Sequence, residues 1–379
     1  MKNFFRFTFF ATFFTIFSFS LFSCKNESDD ENPSVESVAS KGGLIAFYPP
    51  NGLGDASYVD SFCSGVQKAA LKNNLLVYDI CPKNWDEAKG LVDEYIQRCY
   101  ELTKTYNLPV FFLFGDEGYL EFFSPYLIEK PDTISYMLFE SKETEFPAVN
   151  TAYMPLYGAS YLAGLASKTL LEGRENARIL AILANGSTQS VKDALKGFIA
   201  GSDSESAWNE KVYDYNFTEW SDSDSTGFEE LNFVAVSLNN EHDKDGFDSA
   251  DLSYALALFA QKLNPFDLYF PVCGGSVHGL LRYNREKGEK SFYTVGMDSD
   301  LSVYTKQVPF SVVKHIDRAV QKCIEQWLSG KLPHHQEFDL ANGYTGLVIS
   351  EKYKEKLSAA VQGALARAIE KEREYEENK

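Results

Sequence analysis

Positive charge is scarce in this chain. Its 379 residues carry 36 Lys and Arg against 54 Asp and Glu, a formal net charge of −18. Phosphate backbones and anionic lipid surfaces would repel such a chain, and with no basic patch along it DNA and RNA are excluded as partners. Histidine is scarce too. His242, His278, His315, His334 and His335 are the five, and none stands at the spacing of a catalytic triad or a zinc site. Adjacent His334 and His335 would point to opposite faces of an extended segment. The stretch "NGLGDAS" lacks the third glycine of a dinucleotide fingerprint, and no Walker A lysine follows any glycine-rich loop. No cofactor, no metal and no nucleotide-driven motor is therefore expected. Six cysteines leave an odd number after Cys24, namely Cys63, Cys81, Cys99, Cys273 and Cys323, so at least one stays unpaired within a single chain. No bridge is assigned.

What is present begins with an address. "MKNFFRFTFFATFFTIFSFSLFSC" has Lys2 and Arg6, then a phenylalanine-rich apolar run, then Leu21-Phe22-Ser23-Cys24. This reads as a secretory signal over residues 1–23. Its end is similar to a bacterial lipobox, in which Cys24 is lipidated and becomes the first mature residue. Residues 24–41 are polar and acidic, the composition of a flexible tether. As a coil it would separate its ends by roughly 20–25 Å, enough to float a domain off a membrane. The expected location is the cell envelope, lipid-anchored and facing the periplasm or the exterior.

Folded structure is expected from "GGLIAFYPP" onward. Leu44–Tyr48 reads as a buried strand, "NGLGD" as a turn, and Asp55 as the cap of a helix. That helix repeats Tyr58, Phe62, Val66, Ala69 and Ala70 at helical steps. "LLVYDIC", an amphipathic helix from Trp85, and "PVFFLFG" follow. Fully apolar strands alternating with helices imply a parallel sheet covered on both faces. A second block of the same kind carries "ARILAILAN", "NFVAVSL", "DLYFPVC" and "FYTVGMD" as strands. Residues 351–379 place Tyr353, Leu357, Val361, Leu365 and Ile369 at four-residue spacing, a charged helix with one apolar stripe for docking on the body.

Two stretches invite sharper readings. "FTEWSDSDSTGFEEL", within an acidic segment over 218–250, is tested as a calcium loop starting at Asp222. Gly227 falls at the sixth position, but Phe233 stands where the twelfth-position Glu belongs, so a solvated loop is expected. "FPVCGGSVHG" is tested as a nucleophile elbow. His278 occupies the place of the second glycine of Gly-x-Ser-x-Gly, and on a helix start it faces away from Ser276. A hydrolase using Ser276 is therefore a distant reading, and no catalytic residue is assigned.

A binding reading explains more. Ligands of open α/β sheets sit at the carboxyl ends of strands, against free helix N–H groups. One such turn offers Asp55, Ser57 and Tyr58, and a second offers Gly274, Gly275 and Ser276. A third strand end, "VGMDSD", gives Asp298 and Asp300. A carboxylate there can accept from two adjacent hydroxyls of a sugar, each bond contributing about 1.5–3 kcal/mol.

At this point the sequence resembles the basic membrane protein family of lipoproteins, which includes a purine-nucleoside receptor. "GLGDASYVDSFCSGVQKA", "GASYLAGLA", "DALKGFIAG", "FPVCGGSVHGLL", "VGMDSDLS" and "VPFSVVKHIDRAV" are similar to its motifs and stand in its order. The resemblance implies an α/β, type I periplasmic-binding-protein-like fold, two doubly wound parallel-sheet lobes joined by a three-segment hinge. The first lobe would hold 42–150 plus about 308–333, the second 151–307 plus about 334–350. It implies that Asp298 holds ribose hydroxyls, that Gly274, Gly275 and Ser276 line the pocket, and that Asp55, Tyr58 and Lys314 face it. Aromatics would stack on a base, with Tyr58, Phe114, Tyr157 and Trp220 as candidates. The implied activity is delivery of a nucleoside, a purine nucleoside first, to an ABC permease and its ATPase by a monomeric, non-enzymatic lipoprotein. A sensory lipoprotein of the same fold is the nearer alternative. Val59 departs from the asparagine of the family's entry turn, "YGAS" lacks its acidic residue, and the 218–250 segment looks inserted. These departures bear on the ligand more than on the fold.

Overall fold

The computed structural model describes residues 41–379 apart from 51, 129, 144, 185–187, 210, 216–230, 239–245, 264 and 289–290. The signal-like segment, Cys24, the tether through residue 40, Trp220, His242 and the loop from Asp222 lie outside the described residues. From Gly42 to Lys379 the chain is one compact unit.

Its first block runs β1 (Gly43–Phe47), α1 (Tyr58–Asn73), β2 (Leu76–Ile80), α2 (Trp85–Tyr106), β3 (Val110–Phe114), β4 (Ile134–Phe139) and β5 (Val149–Tyr153). The second runs α3 (Tyr157–Leu171), β6 (Ile179–Leu183), α4 (Gln189–Ser202), β7 (Val212–Asp214), β8 (Phe233–Ser237), α5 (Ala250–Leu263), β9 (Leu268–Val272), α6 (Val277–Lys287) and β10 (Tyr293–Thr294). The chain then shuttles through β11 (Phe310–Lys314), α7 (Ile316–Leu328), β12 (His335–Glu337), β13 (Thr345–Ile349) and α8 (Lys354–Glu377). The sheets read β12-β5-β4-β3-β1-β2 and β10-β9-β6-β8-β7, and every neighbouring pair in both is parallel.

Parallel strands buried on both faces need apolar side chains at every position, and β3, β6, β8 and β9 are buried throughout. Each sheet separates two apolar cores. Phe62, Phe111 and Ile316 share one side of the first sheet, while Phe47, Phe112 and Phe114 share the other. Leu183 and Phe270 lie on one side of the second sheet, Ile182 and Tyr269 on the other.

Three crossings join the lobes, after β5, after β11 and after β12. The crossing points correct the expected boundaries. β11 belongs to the second lobe, where Phe310 and Val312 join the core around Phe270 and Val312 N–H donates to the Gly296 carbonyl at 2.9 Å. The return to the first lobe begins at His315, because α7 packs Ala319, Val320 and Cys323 against the core of α1. It lasts through β12, which pairs with β5, so residues 334–338 lie in the first lobe and not in the second. "HQE" is polar and only half-buried, so it carries no strand pattern. β13 then pairs antiparallel with β11.

Helix α8 docks as expected through Tyr353, Leu357 and Val361, with Ile369 packed against the same core, and departs from the expected stripe at Leu365. Leu357, Val361, Ala368 and Glu372 are its buried residues, whereas Leu365 is 42% exposed. At 3.6 residues per turn a strict four-residue stripe drifts off the contact face. Glu372, a carboxylate in an apolar seam, accepts from Gly158 N–H at 2.7 Å and from Leu340 N–H at 3.1 Å. Burial pushes its pKa from 4.5 up to about 7, against the pull of those two donors. The unfolded chain then releases this proton near pH 4.5 while the folded one keeps it to about 7. Stability from this group is thus full at low pH and falls as pH rises through that window, by about 3 kcal/mol if the site stays dry. Glu372→Gln is expected to flatten the loss, read from urea midpoints between pH 4.5 and 8. An unchanged slope would refute the assignment.

Candidate functional site

The site forms where carboxyl ends of strands from both sheets meet. After β1 the chain turns through Gly54 and Ala56, both at positive φ (92° and 51°), and enters α1. Asp55 holds this turn. Its carboxylate accepts from the N–H groups of Ser57 (2.8 Å), Val59 (3.0 Å) and Asp60 (3.2 Å), three donors that the first turn of a helix leaves free. Asp60 reciprocates by accepting from Gly54 and Ala56 N–H. Asp55 therefore acts through the backbone it fixes. Its pKa is raised by burial, with these donors opposing and the Asp298 charge adding to the rise.

The second lobe answers this turn directly. Ser57 Oγ donates to Asp298 Oδ2 at 3.0 Å, joining residues 241 positions apart. His278 Nε2 lies 2.8 Å from the Asp55 carbonyl oxygen. Gly275 faces Asp55 closely enough that a Cβ there would stand 3.6 Å from the Asp55 Cβ. Gly274, at φ 48°, adopts a backbone that glycine tolerates best. Asp55, Ser57, Gly275, His278 and Asp298 thus form one contact between the lobes.

Asp298 sits at φ 64°, uncommon for a side-chain-bearing residue. Its backbone carbonyl accepts from Lys314 N–H at 2.9 Å, which sets β11 beside it. Burial raises its pKa, and the Lys314 ammonium and the Ser57 hydrogen bond pull the other way. The buried Lys314 Nζ pairs with Glu140 Oε2 at 2.8 Å and lies 5.5 Å from the centre of the Tyr58 ring. Tyr58 OH donates to the Gly115 carbonyl at 2.9 Å. Its pKa is pushed well above the usual phenol range, first by burial and then by Glu140, Asp116, Asp298 and Asp55. Several carboxylates therefore surround one ammonium.

Glu140 is a residue that sequence reading missed. It directly follows β4 at φ 59°, and burial raises its pKa against the pull of Lys314. Its Oε1 is buried with no hydrogen-bond partner among the described residues. A buried acceptor left unpaired costs about 1–3 kcal/mol. The signal was present as "MLFESK", an apolar run stopping at an acid, the same pattern that singled out Asp298.

Two expected residues are corrected. Phe114 is fully buried and stacked on Phe47 and Phe123, with centroids 5.1 and 4.4 Å apart. It is core, because its place in β3 turns it to the face covered by α2. Ser276 is also fully buried. Its hydroxyl donates to the Gly246 carbonyl at 2.8 Å and accepts from Ser249 N–H at 2.7 Å, so it fastens a loop. With His278 turned to Asp55, fully buried Ser276 has no base beside it among the described residues. Tyr157 stacks on Tyr375, centroids 4.3 Å apart, at the start of α3 just past the first crossing. Asp300 caps the short turn at Ser302 N–H. Among the described residues no group of three His, Cys, Asp or Glu could hold a metal ion.

No protein-family model matches the chain, and no curated protein matches it. Solved structures do. An ABC transporter system solute-binding protein from Aeropyrum pernix K1 superposes with a TM-score of 0.65 at 15% identity, covering 89% of this chain and 86% of that one. A periplasmic solute-binding protein of an ABC transporter from Actinobacillus succinogenes 130z, with bound D-allose, gives 0.57 at 12% identity, covering 83% and 100%. A transcriptional activator of the comK gene from Bacillus halodurans gives 0.59 at 15% identity, covering 86% and 97%. The fold is that of the type I periplasmic binding proteins. In it the residues described above stand on the facing ends of two lobes linked by three crossings, the arrangement required for hinge closure.

Proposed function

We propose that this chain is a non-enzymatic solute-binding lipoprotein of an ABC importer, anchored through Cys24, that encloses a nucleoside, a purine nucleoside first, between its lobes. The observation that carries this reading is the Ser57–Asp298 bond across the cleft beside the unpaired Glu140 Oε1. A hydroxyl-bearing solute there would give both carboxylates donors, and bonds to charged acceptors contribute about 1.5–3 kcal/mol each. Tyr58, held flat under the Lys314 ammonium, is the aromatic best placed to stack on a base.

A free monosaccharide is the second reading. It is favoured by the loss of Phe114 to the core, which removes one stacking partner, and by structural neighbours named for bound D-allose and for glucose and galactose. A sensory lipoprotein without transport fits the same geometry. Thermal shift of the chain from Lys25 against nucleosides, sugars and amino acids separates these. Ligand at a hundred times its Kd adds about 2.7 kcal/mol of stability. The largest shift is expected with a nucleoside. A larger shift with a free sugar or an amino acid would end the nucleoside assignment.

A further inference from the structure

The three crossings are tied to one another. Glu372 accepts at once from Gly158 N–H, just past the first crossing, and from Leu340 N–H, within the third. The contact is too tight for any side chain at residue 158. A Cβ there would stand 2.9 Å from Glu372 Oε2 and from Leu340 Cδ2, and 3.1 Å from the Ala368 carbonyl. The second crossing joins through His315 N–H, which donates to the Tyr344 carbonyl at 2.7 Å.

Beyond Glu372 the same helix keeps its contacts with the second lobe and also reaches the first. Glu376 pairs with Lys142, which lies in the loop between β4 and β5 and also contacts Glu337 of β12 at 3.4 Å. Lys379 Nζ lies 5.7 Å from the centre of the Tyr153 ring, at the end of β5. Asp193 of α4 is fully buried. It accepts from Tyr153 OH of the first lobe at 2.6 Å, from Tyr375 OH at 3.0 Å and from Lys379 Nζ at 2.6 Å. Removing one partner from a buried ionic cluster leaves the others uncompensated, so these contacts act as a set. A surface helix serving only to cover its own lobe would need none of them.

We propose that the last two turns of α8 and the residues after them form a hinge strap that holds the two lobes in the arrangement seen here. Glu372 pins the first and third crossings, while Tyr375, Glu376 and Lys379 join the second lobe to Lys142 and Tyr153 of the first. Opening the cleft requires these contacts to stretch or break. The strap sets the balance between open and closed forms independently of which solute is bound.

The test is an interlobe distance measured without ligand in the full-length protein. Spin labels on Leu71→Cys of α1 and Val303→Cys of the second lobe, both highly exposed (89% and 78%), report it in a Cys63→Ser, Cys81→Ser background. Glu372→Gln is expected to shift the distance distribution to longer values than the parent. The double variant Lys142→Ala, Glu376→Ala, which leaves the apolar seam intact, is expected to shift it the same way. A distribution identical to the parent's in both folded variants would overturn the proposal, as would a lowered melting temperature with unchanged distances. Neither outcome depends on the ligand, so the result is separable from the functional reading.

Discussion

Asp298→Ala is expected to abolish the ligand-induced thermal shift. Two bonds from ligand hydroxyls to this carboxylate contribute about 3–6 kcal/mol together, so Kd should weaken by roughly two to four powers of ten. Alanine is also disfavoured at the left-handed backbone of residue 298, so Asp298→Asn is the conservative companion. Asparagine tolerates that backbone and keeps one oxygen acceptor while losing the charge. It should retain the ligand-free melting temperature and bind measurably but weakly. Titration calorimetry of both variants checks the ordering parent, Asn, Ala. Binding by Asp298→Ala as tight as the parent's would remove Asp298 from the site.

The second large effect lies in the packing of α3 on α4. A Cβ at Gly201 would stand 1.9 Å from the Tyr161 carbonyl oxygen, and one at Gly197 would stand 2.1 Å from that of Tyr157. A Cβ at Gly164 would stand 2.1 Å from the Phe198 carbonyl oxygen, approaching from the other side. Backbone cannot rotate away as a side chain can, so the helices must separate. Overpacking typically costs 1–3 kcal/mol, and Gly201→Ala is expected at about 3 kcal/mol, the upper end. For a unit of this size that corresponds to a melting temperature lower by about 4 °C. Gly90→Ala, within α2 with nothing inside 4 Å of the added Cβ, is the control and should stabilise by about 0.5–1 kcal/mol. Equal melting of Gly201→Ala and the parent would contradict the close approach. These glycines lie in "GASYLAGLA" and "DALKGFIAG", so those motifs need no ligand contact to account for them.

Much of this architecture was legible because strands buried on both faces must be apolar throughout. "PVFFLFG" and "ARILAILAN" admit few other environments. The same property concealed which face each side chain takes, since Phe111 and Phe114 are both apolar yet line opposite sides of one sheet. Phe114 could not be assigned to core or cleft on pattern alone. Asp55 and Asp298 were found because a carboxylate just past an apolar strand end has few reasons to be there. Glu140 obeys the same logic and was overlooked. β12 carried no signal, being polar and held only by pairing with β5. Ser276 was ambiguous because a glycine-flanked serine suits a loop fastener as well as a reactive elbow. The buried Glu372 defied the apolar stripe, since its partners are backbone N–H groups on crossings distant in sequence.

The crevice around Asp298 is expected to grip a purine nucleoside and to leave it unaltered. Native mass spectrometry of the chain from Lys25, mixed with a purine nucleoside, measures both halves at once. A one-to-one complex is expected, from which the nucleoside is released at its original mass. Loss of mass from the released molecule, or the absence of any complex at millimolar nucleoside, would contradict it.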